Sequence, residues 1–393
     1  YVKSRRQSDA DVGDRANDAV RINGEDLRAR IVGEGGNLGC TQLGRIEYAS
    51  KGGRINTDFT DNVGGVDCSD NEVNIKILLN ALVDKGELTK KHRDQLLYDM
   101  TQDVADIVLT NAYRQSQTIS ITEQRGASPL KEHQHFMHWL EREGKLDRNI
   151  EYLPNDEELA ERMAAGRGLT RPELAILVAY GKMVLKDLLN VPELTDNDYI
   201  ARLLPASMPD KLVDRFGEAL MEHPLRSEII ATRLANIMVN DMGFNFANRL
   251  QDETGASMCD IAISFMIARE VFGMNALLRD IEALDNKVAA ATQLDMCYQV
   301  RRMVRRATRW FLRSRNRNQS IEQTIAQFKP AYATLTEHLY QVMVASEVKE
   351  HQSDVARLEK LDVPTSIAER VTQMSSLFST LDLAQVAAEQ ERD

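Results

Sequence analysis

Two glycine-rich segments restrict what this chain can fold into. Gly33-Glu34-Gly35-Gly36-Asn37-Leu38-Gly39 follows the short apolar run Ala29 to Val32, and Asp61-Asn62-Val63-Gly64-Gly65-Val66-Asp67-Cys68-Ser69 follows Arg54 to Phe59, about one strand further on. Each leads into a helical pattern, so the sequence predicts strand, glycine-rich turn and helix twice over. In an open α/β sheet, ligands sit in the crevice beyond the carboxyl ends of the strands, which would bring both turns to one cleft. Glycine pairs let a ligand approach the backbone closely, and the Asn side chains donate and accept hydrogen bonds at once.

Residues 1 to about 69 carry this α/β character, and a different pattern starts at Ser69. Ser69-Asp70-Asn71-Glu72 fits the S/T-x-x-E capping box, and Val73, Ile75, Ile77, Leu78 and Leu82 follow at the spacing of a largely buried helix that Gly86 stops. A second helical run, with Leu88, Leu96, Leu97, Met100, Val104, Ile107 and Val108, carries to about Arg114, and beyond Gly126 the pattern is helical almost to the end. Pro172, Pro209 and Pro224 lie near apparent helix starts, where a missing N–H costs nothing. Short turns such as Leu153-Pro154-Asn155 and Asn190-Val191-Pro192 join the helices, with no fixed-period repeat or low-complexity linker. The expected fold class is therefore mainly α with an N-terminal α/β portion.

The chain's 393 residues, 43% apolar, are ample for two or three domains with proper cores. Its net charge of -11 argues against bulk attraction to nucleic acid or to anionic membranes. Cys40, Cys68, Cys259 and Cys297 are far apart and form no C-x-x-C pair, so neither a zinc site nor a disulfide framework is expected, and a reducing cytoplasm is the natural setting. The longest uninterrupted apolar stretch, Leu174 to Tyr180, is far short of the ~20 residues that span a bilayer.

Some features invite a sharper reading than they support. His133, His135 and His138 form H-x-H-x-x-H, but on a helix only 135 and 138 share a face, and no acidic or Cys ligand stands at a defined spacing. Solvated or capping histidines are the preferred reading over a metal site. Arg301, Arg302, Arg305, Arg306, Arg309, Arg313, Arg315 and Arg317, with Trp310 and Phe311 among them, are what a single-strand nucleic-acid groove would need. The preferred alternative is a long helix packed on its Tyr298, Val304, Ala307 and Phe311 side, with its arginines paired to acidic neighbours; an anionic effector site or a subunit contact stays open. The apolar stripes Ile229, Leu234, Ile237, Met238 and Ile261, Ile263, Phe265, Met266, Ile267, together with Trp139 and Trp310, read as core packing.

The two glycine-rich turns resemble the cofactor and substrate turns of the glutamate, leucine, phenylalanine and valine dehydrogenases. Asp14-Arg15-Ala16-Asn17-Asp18-Ala19-Val20-Arg21, Val32 to Gly39, Gly53-Arg54-Ile55-Asn56-Thr57-Asp58-Phe59 and Gly168-Leu169-Thr170-Arg171-Pro172-Glu173-Leu174-Ala175 resemble, more closely, the large bacterial NAD-specific glutamate dehydrogenases. The resemblance implies the last strands of a Rossmann-like dinucleotide-binding domain followed by an all-helical C-terminal region. It divides the chain into 1–120, the C-terminal portion of the NAD-binding catalytic domain with its closing helices, and 121–393, the helical domain. It implies oxidative deamination of L-glutamate to 2-oxoglutarate and ammonia with hydride transfer to NAD, in a cytoplasmic homo-oligomer with neither nucleic acid nor membrane as partner.

On the same resemblance, Gly35, Gly36, Asn37 and Asn62 contact the cofactor, Asn37 at the nicotinamide ribose or carboxamide. Gly64, Gly65 and Val66 present backbone to the reacting centre, and Ser69 binds a substrate carboxylate as well as capping its helix. Gly36 stands where the family usually has Ala, and Asp67 and Asp70 bring charge near Ser69 where the smaller enzymes have uncharged residues. Because Leu38 replaces the third glycine of a G-x-G-x-x-G loop, the resemblance places the pyrophosphate loop, the catalytic Lys and the catalytic Asp upstream of Tyr1 and predicts that residues 1–393 alone are inactive. The competing reading is a non-enzymatic helical scaffold or a regulatory or oligomerisation module.

Overall fold

Extended backbone is scarce in this molecule. In the computed structural model, which describes residues 1–390, Val2–Lys3 and Ile22–Asn23 form a two-stranded parallel sheet. Beyond it lie two isolated parallel bridges, Val2 to Cys40 and Ile31 to Arg54. The runs Ala29 to Val32 and Arg54 to Phe59, expected as strands, meet only at the second bridge, where Arg54 N–H donates to the Arg30 carbonyl (3.1 Å) and Val32 N–H to the Arg54 carbonyl (2.9 Å). The pairing ends there because Thr57 turns the chain into the short helix Asp58–Asp61. Ile31, 72% exposed, buries nothing that would favour a longer ladder.

The second departure concerns the helix expected to open at Ser69. It runs from Val63 to Asp84, so Gly64, Gly65 and Val66 lie in its first turn rather than in a loop, and Ser69 lies inside it. The chain is already helical from Asp58 and passes through Asn62 (φ -94°, ψ 18°) into the long helix, with Gly65 N–H bonded to the Asn62 carbonyl at 3.1 Å. No backbone N–H near Ser69 is left for a cap. The two glycines weaken a helix start by about 1 kcal/mol each relative to Ala. Burial of Ile75, Leu78, Leu79 and Leu82 further along outweighs that loss. Gly86, with φ +78°, ends the helix as expected.

The chain divides into two compact units, Tyr1–Asn245 and a second beginning at Phe246. The boundary lies beyond the division at residue 120, which falls inside the helix Thr101–Gln124. In the first unit that helix packs against Val63–Asp84, Arg171–Leu189 and Arg226–Met242. Arg171–Leu189 opens with a capping box from Thr170 and Glu173, and Pro172 in its first turn needs no partner for a missing N–H. Its apolar run is fully used: Leu174, Ala175, Leu177 and Leu189 are each at most 1% exposed.

The second unit is helical throughout its described residues. Met258–Val271 packs against Ala290–Ser314 and Ile321–Val342, with Ile261, Phe265, Met296, Val300, Val304, Ala307 and Phe311 wholly buried. Trp310, Phe311 and Phe328 meet edge to face, and the Trp310 indole N–H donates to Asp382 at 2.7 Å. The arginine run lies on Ala290–Ser314 and just past it. Arg309 pairs with Glu253, Arg315 with Asp260 at 2.5 Å, Arg317 with Asp260 at 3.4 Å, and Arg306 lies over the Phe378 ring. This is the packed, acid-paired arrangement expected of a structural helix. No single helix among the described residues is long and apolar enough to cross a membrane.

Candidate functional site

The two glycine-rich segments come together at their asparagines: Asn62 Nδ2 donates to Asn37 Oδ1 at 3.1 Å. Asn37 and Leu38 both adopt left-handed backbone, with φ of 55° and 53°, which turns the segment sharply and leaves Leu38 88% exposed. At Gly33, Gly35 and Gly36 an added Cβ would meet no protein atom within 4 Å, and none of the three has positive φ. Neither packing nor backbone strain within the chain therefore demands glycine there. Open space beside bare backbone suits the close approach of a ligand. Gly65 is different: a Cβ there would sit 2.7 Å from Asn62 Oδ1, so this glycine makes room for the Asn62 side chain.

Carboxylates hold the first segment in place. Glu34 N–H donates to Asp61 Oδ2 (3.0 Å), Leu38 N–H to Asp58 Oδ2 (3.2 Å) and Cys40 N–H to Glu34 Oε1 (3.0 Å). The buried Glu34 carboxylate is paired with Arg45, which also reaches Asp58 at 3.4 Å. A buried carboxylate this well satisfied is a rigid anchor for backbone. Burial, with the Glu34 carboxylate beside it, pushes the Cys40 thiol up to about 12, so Cys40 supplies no thiolate near neutral pH.

The helix Val63–Asp84 presents two faces. Val66 is 71% exposed, and Gly65, Ser69 and Val73 are exposed along the same stripe. Ser69 is thus accessible but seven residues away from Asn62, on the second turn of the helix, and it caps nothing. On another face Asp67 accepts from Asn111 Nδ2 at 2.8 Å and from Asn71 Nδ2 at 3.1 Å. Burial raises its carboxyl above the ordinary range, against the hydrogen bond from Asn111. Asp67, Asp70, Asn71, Asn111, Glu228 and Arg233 line a cavity of about 160 Å³. Lys182, beside it, donates to Gln115 Oε1 at 2.6 Å, and burial brings its ammonium down to about 8 despite the attraction of Asp67. The acidic groups flanking Ser69 in sequence therefore divide: Asp67 is turned toward amides and Lys182, while Asp70 is exposed at the mouth of that cavity.

The histidine triplet does not come together on one face. His133 is buried, 3% exposed, with its ring 5.0 Å from that of Phe244 and its Nδ1 without a hydrogen-bond partner. This corrects the expectation of a solvated or capping residue, and the reason is its place on the apolar face of Leu130–Arg142 beside Phe136 and Met137. His138 is half-exposed and bonded to Asp156 at 3.0 Å.

Sequence reasoning missed the supporting residues Glu34, Arg45, Asn56, Asp58, Asp61 and Arg171. Arg171 stood inside a quoted motif, but nothing local marked its reach of 115 residues to Asn56.

Residues 166–393 match the family described as glutamate dehydrogenase, C-terminal, and residues 1–122 match the bacterial NAD-glutamate dehydrogenase catalytic domain. Proteins named NAD-specific glutamate dehydrogenase from Halomonas elongata, Pseudomonas aeruginosa and Mycobacterium tuberculosis are 45%, 44% and 38% identical, each over 98% of this chain. The chain spans 24% of the length of each of these relatives.

Proposed function

The chain belongs to the glutamate dehydrogenase C-terminal family, and from that premise we propose that it is part of an NAD-dependent enzyme that deaminates L-glutamate to 2-oxoglutarate and ammonia. The observation that carries the reading is the Asn62 to Asn37 hydrogen bond, which joins the segment expected to hold the cofactor to the one expected to hold the substrate. In the proposal, residues 1–120 are the C-terminal portion of a Rossmann-like NAD-binding catalytic domain and 121–393 are its helical C-terminal domain. No catalytic residue is assigned within residues 1–393. The whole protein is proposed to be cytoplasmic and homo-oligomeric.

NAD supplies the hydride acceptor when bound, and the task of this chain's residues is to hold its reacting end against the substrate. Gly35 and Gly36 offer open backbone, and Asn37, held in a left-handed turn, keeps its amide fixed through Asn62. The surrounding carboxylates Glu34, Asp58 and Asp61 disfavour a phosphate and suit an uncharged ribose and the positively charged oxidised nicotinamide. Gly65, Val66 and Ser69 on the open stripe, with the half-buried Gly64 beside them, are assigned to the substrate. The positive dipole end of the Val63–Asp84 helix favours a substrate carboxylate nearby.

The test is glutamate-dependent NADH formation by the complete gene product, wild type and Asn37→Ala. Losing hydrogen bonds made to the cofactor should lower kcat/KM roughly ten- to a hundredfold. Thermal stability should barely change, because the Asn37 amide is exposed. A wild-type protein that forms no NADH from glutamate, or an Asn37→Ala variant with undiminished kcat/KM, refutes the assignment.

A further inference from the structure

Arg171 makes a set of contacts that the reading above does not use. It opens the helix Arg171–Leu189, and its side chain is only 8% exposed. A guanidinium removed from water in this way is tolerable only if its donors are paired. Nη1 donates to Ser120 Oγ and Glu123 Oε2, both at 2.9 Å, Nη2 reaches Ser116 Oγ at 3.4 Å, and Nε donates to Asn56 Oδ1 at 3.0 Å.

The Nε bond leads directly into the candidate site. Asn56 Nδ2 donates to Asp61 Oδ1 at 2.8 Å, and the other oxygen of the same carboxylate accepts Glu34 N–H at 3.0 Å. Asp61 precedes Asn62, whose amide holds Asn37. One continuous chain of hydrogen bonds therefore runs from the guanidinium, through Asn56 and Asp61, to the entry of the Gly33–Gly39 segment, and the backbone joins Asp61 to the asparagine that orients Asn37. Resting on the functional reading above, we infer that Arg171 is a positioning residue, which sets the geometry of the cofactor-contacting turn and couples it to the helical region.

A purely structural role for this helix start is already filled by its neighbour. Glu173 accepts from Thr170 N–H at 2.7 Å and takes both ends of Arg162 at 2.7 and 2.8 Å, away from Asn56. The fork of Arg171 is also something lysine cannot reproduce: a lysine keeps the charge facing Glu123 but has no planar Nε–H to aim at Asn56.

These differences define the experiment, performed on the complete gene product. Arg171→Lys and Asn56→Ala each break the chain at the same bond, and Arg162→Gln disturbs the same helix start without touching it. For the first two, KM for NAD should rise on the order of tenfold, the size expected for one hydrogen bond to a charged group. The double variant should be no worse than either single one. Arg162→Gln should lower the melting temperature while leaving KM for NAD within about twofold. Hydrogen–deuterium exchange in the peptide covering residues 33–40 provides a readout that needs no activity: Arg171→Lys and Asn56→Ala should accelerate it, and Arg162→Gln should not. Additive effects in the double variant, or exchange at 33–40 unchanged by Arg171→Lys, overturn the inference. If the wild type makes no NADH from glutamate the functional reading fails, and the exchange data still decide the coupling.

Discussion

His133 offers the sharpest quantitative test of the first unit's packing. Its ring lies against Phe244 and beside Phe136, and Nδ1 has no acceptor within reach. Burial alone brings the imidazole from its ordinary 6.5 down to about 3. The unfolded chain takes up this proton near 6.5, whereas the folded one holds the ring neutral until about pH 3. Stability from this group is therefore complete above the unfolded value and is lost as the pH falls through the interval between the two. At about pH 4.5 the unfolded ring is protonated and the folded one is not, a gap of roughly two units or about 2.7 kcal/mol. The perturbation is His133→Phe, which keeps an aromatic ring beside Phe136 and Phe244 and removes the titration. Denaturant unfolding of wild type and variant at neutral pH and near pH 4.5, followed by far-UV circular dichroism, isolates the histidine, since the carboxylates titrate in both proteins. The wild type should lose about 2 to 3 kcal/mol more than the variant on acidification. Equal losses would refute the reasoning, because they would mean that the folded ring protonates as readily as the unfolded one.

Two further perturbations test the site. Ser69 lies on the exposed stripe inside Val63–Asp84, so Ser69→Ala removes no cap and should leave stability unchanged or raise it by about 0.5 kcal/mol through helix propensity. A raised KM for glutamate, with KM for NAD unmoved, would mark Ser69 as a carboxylate ligand, and unchanged values for both would remove it from the site. Lys182, brought down to about 8 by burial from an ordinary 10.5, binds its proton less tightly folded than unfolded. Wild-type stability should therefore gain a contribution as pH rises from about 8 toward 10.5, up to a few kcal/mol. That gain should be missing from the pH profile of Lys182→Met, and identical profiles for the two proteins would contradict the buried placement.

Much of this molecule was legible locally. The helical pattern beyond Gly126, the stop at Gly86, the proline-marked helix starts and the packed side of the arginine helix all follow from interactions within a few residues, which periodicity and capping chemistry record. The asparagines of the two glycine-rich segments do meet, through the Asn37–Asn62 bond. The errors arose where a local signal competed with a neighbour. Ser69-Asp70-Asn71-Glu72 has the composition of a capping box, yet the backbone upstream was already helical from Asp58, and a cap needs free N–H groups that a running helix no longer has. His133 carries no mark of its burial, because the wall it meets includes Phe244, far along the chain.

What only the tertiary structure decided is the support beneath the turns. Asp61 reaches Glu34 across 27 residues and Arg171 reaches Asn56 across 115, and neither partner has a residue type or spacing that singles it out. A buried ionised group takes whichever complementary group the packed helices bring within hydrogen-bonding distance, so its partner is a property of the assembled core. Composition and period determine which segments coil and which faces turn inward. They leave open which carboxylate then stands opposite which guanidinium, because that pairing exists only after the helices have packed.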